Sequence, residues 1–403
     1  MATFFYTALD KANNFVKGKI EANNFKKAKE QLESGGFLIV NIKLEKKQRF
    51  ENIKTFFSGV SRVDLIFFTR HLFTMLEAGI ALDQAVNITA EQVTSRKFKE
   101  VLEDIYKRLQ KGQPFHHCLA QHPRYFSKFY VSIIKVGEKS GKLHEVFSHL
   151  LEQQESDYEL VTRARSAMVY PSVIVCALIV MVTFMMIFVI PKVTGILSEY
   201  KVQLPLATRI LMGLSYFIIH WGWTLIPVII ALVFIIRKIL RTPKGKWRWD
   251  TLVLKIPRLN KIIIEFNLAR FARALCVLLK SGVPFDQAIE LTADVSSNSH
   301  YTKALKSGIG FIQRGVNLTE VLAAYPKLFP PITSRMIGVG EKTGKLDHML
   351  HKLATFYEKS VNTSVGNLAS VIEPVLLLCI GFTVAFVAIS VLTPIWKFSA
   401  TVQ

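Results

Sequence analysis

Three stretches of this chain, residues 166–190, 211–236 and 374–396, contain no Asp, Glu, Lys or Arg. Each is longer than the ~20 apolar residues a helix needs to cross ~30 Å of hydrocarbon, so an integral membrane protein is predicted. A soluble chain of 403 residues would be two or three domains with apolar residues spread periodically. Here half of the residues are hydrophobic, the mean hydropathy is +0.30, and the apolar residues are concentrated in those stretches.

Charge sets the expected orientation. Residues 237–261 carry nine Lys and Arg against one acid, whereas the loop 191–209 carries three against one. Lys and Arg accumulate in cytoplasmic loops. The N-terminus is therefore expected inside, with the loop after the first span and the C-terminal tail outside. The net charge of +21 suits anionic headgroups, with each Lys or Arg near the surface worth roughly 1 kcal/mol. Nucleic acid would attract the same charge, but no aromatic-interleaved basic domain or recognition helix is present, and nucleic acid is not an expected partner. MATFFYTALDKANNF lacks a basic start followed by an apolar run and does not read as a signal peptide. Cys118, Cys176, Cys276 and Cys379 are far apart in sequence, and two lie in spans. Neither a disulfide framework nor a C-x-x-C metal site is indicated.

VGEKSGKL, from Val136, looks at first like part of a phosphate-binding loop. That loop needs four residues between its glycines and Ser or Thr after the lysine. Only three separate Gly137 from Gly141, and Leu143 follows the lysine. The octapeptide instead recurs as VGEKTGKL from Val339, a shift of 203 residues. The same shift holds without a gap from Leu65 to Pro191. FTRHLFTMLEAGIALDQAVNITA, from Phe68, lies over FARALCVLLKSGVPFDQAIELTA, from Phe271, and Gly112, Pro123, Phe126, Pro171 and Cys176 fall on Gly315, Pro326, Phe329, Pro374 and Cys379. Each unit is a polar helical region of about one hundred residues, a normal domain size, followed by one span. Both repeats must cross in the same direction, so the middle span returns the chain between them. An inverted repeat would be the usual transporter signature.

The expected architecture is mostly α: an integral membrane protein with two homologous cytoplasmic helical-bundle domains, three transmembrane helices and a small N-terminal α+β module. Residues 1–55 form that module, 56–165 the first bundle, 166–190 the first span, 191–210 an external loop and 211–236 the second span. A basic cytoplasmic linker follows at 237–265, then the second bundle at 266–372, the third span at 373–396 and an external tail at 397–403. In the module FFYTALD, VKGKIEA and FLIVNIKL read as strands and NFKKAKEQLESGG as a helix closed by Gly35 and Gly36. The basic link at 45–62 reads as mobile or interfacial. In the first bundle, Leu65, Phe68, Leu72, Met75 and Leu76 make one helical stripe. Further helices are predicted over 81–93, 95–111, 115–122 and 128–136, with a long one from 142. Gly79 and Gly282 stand where a left-handed C-terminal cap wants glycine, and Pro284 sits early in the next helix, where its missing N–H costs nothing.

The octapeptide then reads as a corner between an incoming and a long outgoing helix. Gly137 and Gly141, like Gly340 and Gly344, allow a tight turn. Ser140 and Thr343 share a hydroxyl able to accept from the N–H groups of a helix start, and Leu143 and Leu346 begin the next apolar stripe. Glu138 and Glu341 are not explained by a turn. Arg70 and Arg273 also recur, so one Arg–Glu pair inside each bundle is expected. Its alternative is a pair of solvated charges, since surface ion pairs contribute only 0 to ~1 kcal/mol.

This combination resembles the type II secretion system protein F family, which includes the inner-membrane platform proteins of type IV pili. The resemblance covers nearly the whole chain. It rests on the doubled G-E-x-[ST]-G-x-L element, the doubled glycine element near Gly79 and Gly282, Tyr170-Pro171 and Glu373-Pro374 entering the first and third spans, and the module YTALD…GKIEAN. It implies a non-enzymatic scaffold, without cofactor, in the bacterial cytoplasmic membrane. The implied partners are a hexameric assembly ATPase, pilin or pseudopilin subunits, other inner-membrane assembly proteins, the lipid membrane and further copies of the chain. The platform would couple the ATPase's motion to insertion of the subunits, with ATP hydrolysis left to the partner.

Glu373 directly precedes the third span, whereas its counterpart is Tyr170. A carboxylate at membrane depth suggests function by default, here contact with a pilin segment, but at a helix N-terminus the dipole would simply stabilise it. The favoured reading is the structural one. FHHCLAQHP gathers His116, His117, Cys118 and His122, but the second repeat lacks them and the spacing fits no zinc pattern. Pro227, Pro191 and Pro394 read as adjusting helix paths, and Trp221, Trp223 and Trp396 as sitting at headgroup depth. A membrane enzyme would need convergent catalytic groups, which the sequence does not show. A small membrane transporter or channel is the other rival, and a charged residue in mid-span would have supported it.

Overall fold

The computed structural model describes residues 2–9, 15–22, 27, 31, 34, 38–44, 61–192, 195 and 206–401. The chain divides into two compact units, residues 1–61 with 93–99, and the remainder.

In the first unit β1 (Ala2–Leu9) is the centre of an antiparallel sheet ordered β2-β1-β3, flanked by β2 (Phe15–Ala22) and β3 (Leu38–Leu44). The register with β3 shifts between Thr7 and Ala8. The predicted helix NFKKAKEQLESGG, with its closing Gly35 and Gly36, falls outside the described residues except at Lys27, Gln31 and Ser34, which are helical. The link at 45–62 lies outside them up to residue 60.

The first repeat is built from α1 (Arg62–Glu77), α2 (Leu82–Gln92), α3 (Arg96–Gln110), α4 (Phe115–Ala120), α5 (Lys128–Ser140) and α6 (Leu143–Ala167). Its core holds the fully buried Phe68, Leu72, Leu102, Ile105, Phe115 and Phe147. After α1, Gly79 adopts φ 81° and the N–H of Ile80 reaches back to the carbonyl of Met75 at 2.9 Å. This closes the helix in the conformation that a Cβ disfavours.

The first span follows as α7 (Val169–Phe184) and a π-helical turn (Met185–Val189). The loop expected at 191–210 lies mostly outside the described residues. The second span belongs to α8 (Leu206–Arg241), which keeps Pro227 inside an intact helix. The predicted basic linker contains α9 (Pro243–Val253).

The second repeat repeats the plan with α10 (Leu259–Lys280), α11 (Phe285–Val295), α12 (Ser299–Ile312), α13 (Leu318–Ala323) and α14 (Pro331–Thr343). Pro284 stands just before α11, as its N-cap. A single helix, α15 (Leu346–Thr401), then serves as both outgoing bundle helix and third span. The 203-residue shift survives in three dimensions. Phe68 and Phe126 meet as tilted rings 5.7 Å apart between centroids, and Phe271 and Phe329 meet edge-on at 5.6 Å.

All three apolar helices are long enough to cross a membrane. They meet around Met186, Ile190 and Leu211, with Val182, Met212, Ile218 and Phe386 packed against that cluster. The Ser215 hydroxyl donates to the Met186 carbonyl in the π-helical turn at 2.5 Å, and Thr208 donates to the Ser390 carbonyl at 2.8 Å. Such bonds meet the demand that polar groups in lipid be satisfied inside the protein. Away from the cluster the spans are bare: Ile179, Phe184, Ile226, Phe234, Leu378 and Phe382 are all exposed.

Candidate functional site

The octapeptide is less of a loop than its glycines suggest. Val136 to Ser140 are the last turns of α5, and only Gly141 and Lys142 separate that helix from α6. Gly141 has φ 71° and Gly344 φ 68°, and the next N–H in each copy returns to the carbonyl of Gly137 or Gly340, at 2.9 and 3.0 Å. Ser140 and Thr343 do not receive the N–H groups of the outgoing helix, contrary to the sequence expectation. Their hydroxyls donate backwards, to the carbonyls of Gly137 at 3.3 Å and Val339 at 2.8 Å. The incoming helix extends over them, so its own carbonyls are the nearest acceptors.

Gly137 and Gly340 serve close approach. A Cβ on Gly137 would lie 2.7 Å from Val146 Cγ2, and one on Gly340 2.9 Å from Leu346 Cα. The outgoing helix therefore crosses the incoming one at a distance that only glycine permits. Leu143 and Leu346, its first residues, are half-buried there.

Glu138 and Glu341 reach across their bundles to the short helices α4 and α13. The backbone N–H groups of Phe115 and His116 donate to Glu138 at 2.6 and 3.0 Å. Those of Leu318 and Thr319 donate to Glu341 at 2.6 and 3.1 Å. Neither short helix has a side-chain cap of its own, since Pro114 and Asn317 make no capping bond. A helix start leaves such N–H groups without partners, and a carboxylate there gains both charge-assisted bonds and the dipole. The glutamates are thus caps supplied from 22 or 23 residues away. Burial pushes the Glu138 carboxyl up, but the bonds from the His116 N–H and ring and from the Phe115 N–H outweigh it and hold the group below its ordinary value.

Consequently the expected pairs Arg70–Glu138 and Arg273–Glu341 do not form, because each glutamate is occupied at a helix start. Arg70 instead meets Glu155, with both side chains largely exposed. Arg273 meets Glu358, the counterpart of Glu155 under the same shift, in a fork of two bonds at 2.9 and 2.8 Å. The two copies differ sharply in burial. The Arg273 side chain is 8% exposed against 58% for Arg70, because the first repeat packs over it.

That packing is a polar seam. Glu152 of α6 accepts from Arg273 Nη1 at 2.6 Å, and Ser156 of the same helix donates to Glu358 at 2.7 Å. One turn along, Arg270 Nη2 donates to Asp157 at 3.0 Å. His149 Nδ1 and the Ser281 hydroxyl lie 3.3 Å apart at the other end. Burial alone would lower the Arg273 pKa, but Glu358 and Glu152 more than offset it and fix the guanidinium as a charge. Glu155, Glu358, Glu152 and Ser156 were missed in the sequence. The first two obey the duplication and could have been found by following charged residues along the shift; Glu152 and Ser156 face the other repeat and leave no such trace.

Glu373 is exposed in the interior of α15, not at a helix start as the structural reading required, since that helix runs unbroken from Leu346. No free N–H groups surround it to supply the dipole's end charge. Pro374 is likewise exposed within the continuous helix, whereas its counterpart Pro171 is buried just after the break at Met168. In the histidine segment, His116 turns to Glu138 and His122 to Asp104. Cys118 is buried, with burial raising its pKa. No group able to hold a metal ion is found among the described residues.

Comparison with known proteins agrees with this duplicated geometry. The family described as type II secretion system (T2SS), protein F matches residues 68–191 and again 271–394. The N-terminal domain described for the same protein matches residues 1–43. The chain is 33% identical to the type IV pilus assembly protein PilC of Thermus thermophilus over 405 residues, covering 100% of both. It is 31% identical to the PilC of Myxococcus xanthus, covering 100% of this chain and 96% of that protein. With the type II secretion system protein F of Vibrio cholerae it shares 29% identity over 98% of each chain.

Proposed function

The chain belongs to the type II secretion system protein F family, a family of non-enzymatic membrane platform proteins, and on that premise we propose how this member works. It is a multi-pass platform of the bacterial inner membrane in a machine of the type IV pilus or type II secretion kind. In our reading the two bundles face the cytoplasm and meet a hexameric assembly ATPase, while the spans receive pilin or pseudopilin subunits and guide their insertion. Residues 1–55 act as a small α+β module on the cytoplasmic side, followed by bundles at 56–165 and 266–372. The N-terminus is inside, and the chain works as a homo-oligomer with other inner-membrane assembly proteins.

The observation that carries this reading is the unequal use of one duplicated design. Each repeat contains the same Glu-capped corner, but the Arg–Glu pair is exposed in the first and buried in the second. Two similar bundles are thus locked into one polar seam, with α15 continuing from it as a single helix into the third span. A motion imposed on either bundle has a stiff helical path into the membrane. The bare faces of the spans, including Phe382 and Leu378, suit passing apolar pilin segments.

Photo-cross-linking in the native cells tests this. A cross-linker at Phe382 should capture a pilin-like protein, and one at Phe311, which is exposed on the second bundle, should capture the ATPase or another cytoplasmic component. If neither position yields an adduct while the machine is active, the coupling role is set aside.

A further inference from the structure

Helix α9, between the second span and the second repeat, has two unlike faces. One is fastened to α12. Asp250 accepts from the Ser299 N–H at 2.8 Å and from its hydroxyl at 2.6 Å, and Thr251 Oγ1 lies 2.9 Å from His300 Nε2. The Trp247 ring lies 3.9 Å from that imidazole, with Lys303 Nζ 5.2 Å from its own centre. The other face is open and apolar: Trp249 is 51% exposed, Leu252 52% and Ile256, just beyond the helix, 37%. Lys244 and Arg248 are exposed beside it.

The turn into α9 fixes where this open face lies. Thr242 caps the helix by accepting from the Gly245 N–H at 3.1 Å. A Cβ on Gly245 would stand 2.1 Å from the Ile239 carbonyl oxygen, so the helix folds back tightly against the end of α8. Trp249 and Leu252 consequently share one concave surface with Ile236, Ile239 and Leu240 of the span itself. An apolar strip continuous with a membrane span, edged by Lys and Arg and carrying Trp, has the composition of a helix lying at the headgroup boundary.

We propose that α9 is an interfacial anchor that binds the anionic bilayer surface. Trp249, Leu252 and Ile256 enter the boundary between headgroups and acyl chains, and Lys244 and Arg248 engage lipid phosphates. Through Asp250–Ser299 and Thr251–His300, α9 also holds α12, and with it the second repeat, at that surface. This rests on α8 spanning the membrane and does not depend on the pilus or secretion role.

The test uses the full chain in vesicles of phosphatidylcholine with or without phosphatidylglycerol, in a Cys176→Ser/Cys379→Ser background, because Cys118 and Cys276 are buried. An environment-sensitive fluorophore is attached at Leu252→Cys or, as control, at Gln313→Cys. Gln313 lies past the far end of α12, about 20 Å from the docked end at 1.5 Å per residue. The expected result is blue-shifted emission at position 252, quenched several-fold more by lipids spin-labelled near the headgroup than at position 313. That quenching should fall when phosphatidylglycerol is omitted, and also with Lys244→Gln/Arg248→Gln. Emission at position 252 like that in water overturns the proposal. So does a blue shift that spin-labelled lipids do not quench, which would mean that protein covers the face. Quenching indifferent to lipid charge overturns the anionic preference and with it the proposal as stated.

Discussion

At the residue scale, one glutamate per repeat closes a helix that has no cap of its own. Glu138→Ala or Glu341→Ala leaves two helix-start N–H groups without a partner and should destabilise its bundle by about 1–3 kcal/mol, measured by thermal unfolding in nanodiscs. The folded Glu138 carboxyl lies below its ordinary value of 4.5. Its contribution is therefore complete above that pH and is lost as pH falls through the lower, folded value. Parent and Glu138→Ala melting temperatures should differ at pH 7 and converge on acidification; a gap that widens in acid would contradict the cap. Gly137→Ala should also destabilise, through the 2.7 Å approach to Val146. Adding Val146→Ala should recover much of the loss, whereas no recovery would mean that the glycine serves something other than close packing.

At the element scale, the same Arg–Glu pair has two settings and two expected costs. Arg273→Ala strands Glu358 beneath the first repeat and should cost about 3–5 kcal/mol. Arg70→Ala, at an exposed pair, should cost ~0–1 kcal/mol. Similar losses for both variants, read by the same melts, would contradict the seam. Much at this scale was legible beforehand. The apolar stripe through Phe68 and Leu72 marked α1, Gly79 and Gly282 marked its ends in both copies, and the shift aligned the two octapeptides. The corner's chemistry was not legible. Helical periodicity does not reveal that Glu138 is folded onto α4, because that contact depends on how three helices pack. The unbroken course of α15 through Pro374 was also hidden, since the same proline follows a break in the first repeat.

At the scale of the whole molecule, the duplication explains why three spans suffice: two run alike and the third returns the chain. The spans bury little of one another, and Ile179, Phe234 and Phe382 are left exposed on them. Spans and duplication were both readable as patterns along the chain, but the seam between repeats was not. Glu152, Ser156 and Asp157 belong to the first repeat but reach across to Arg273, Glu358 and Arg270 of the second. The most direct measurement is gentle-detergent capture of the tagged protein from its own cells, with every co-purifying protein identified. A hexameric ATPase recovered together with pilin-like subunits is the predicted result, and the identity of those subunits would separate pilus from secretion. Recovery of neither, even after cross-linking, would contradict the platform role and return attention to a small transporter or channel.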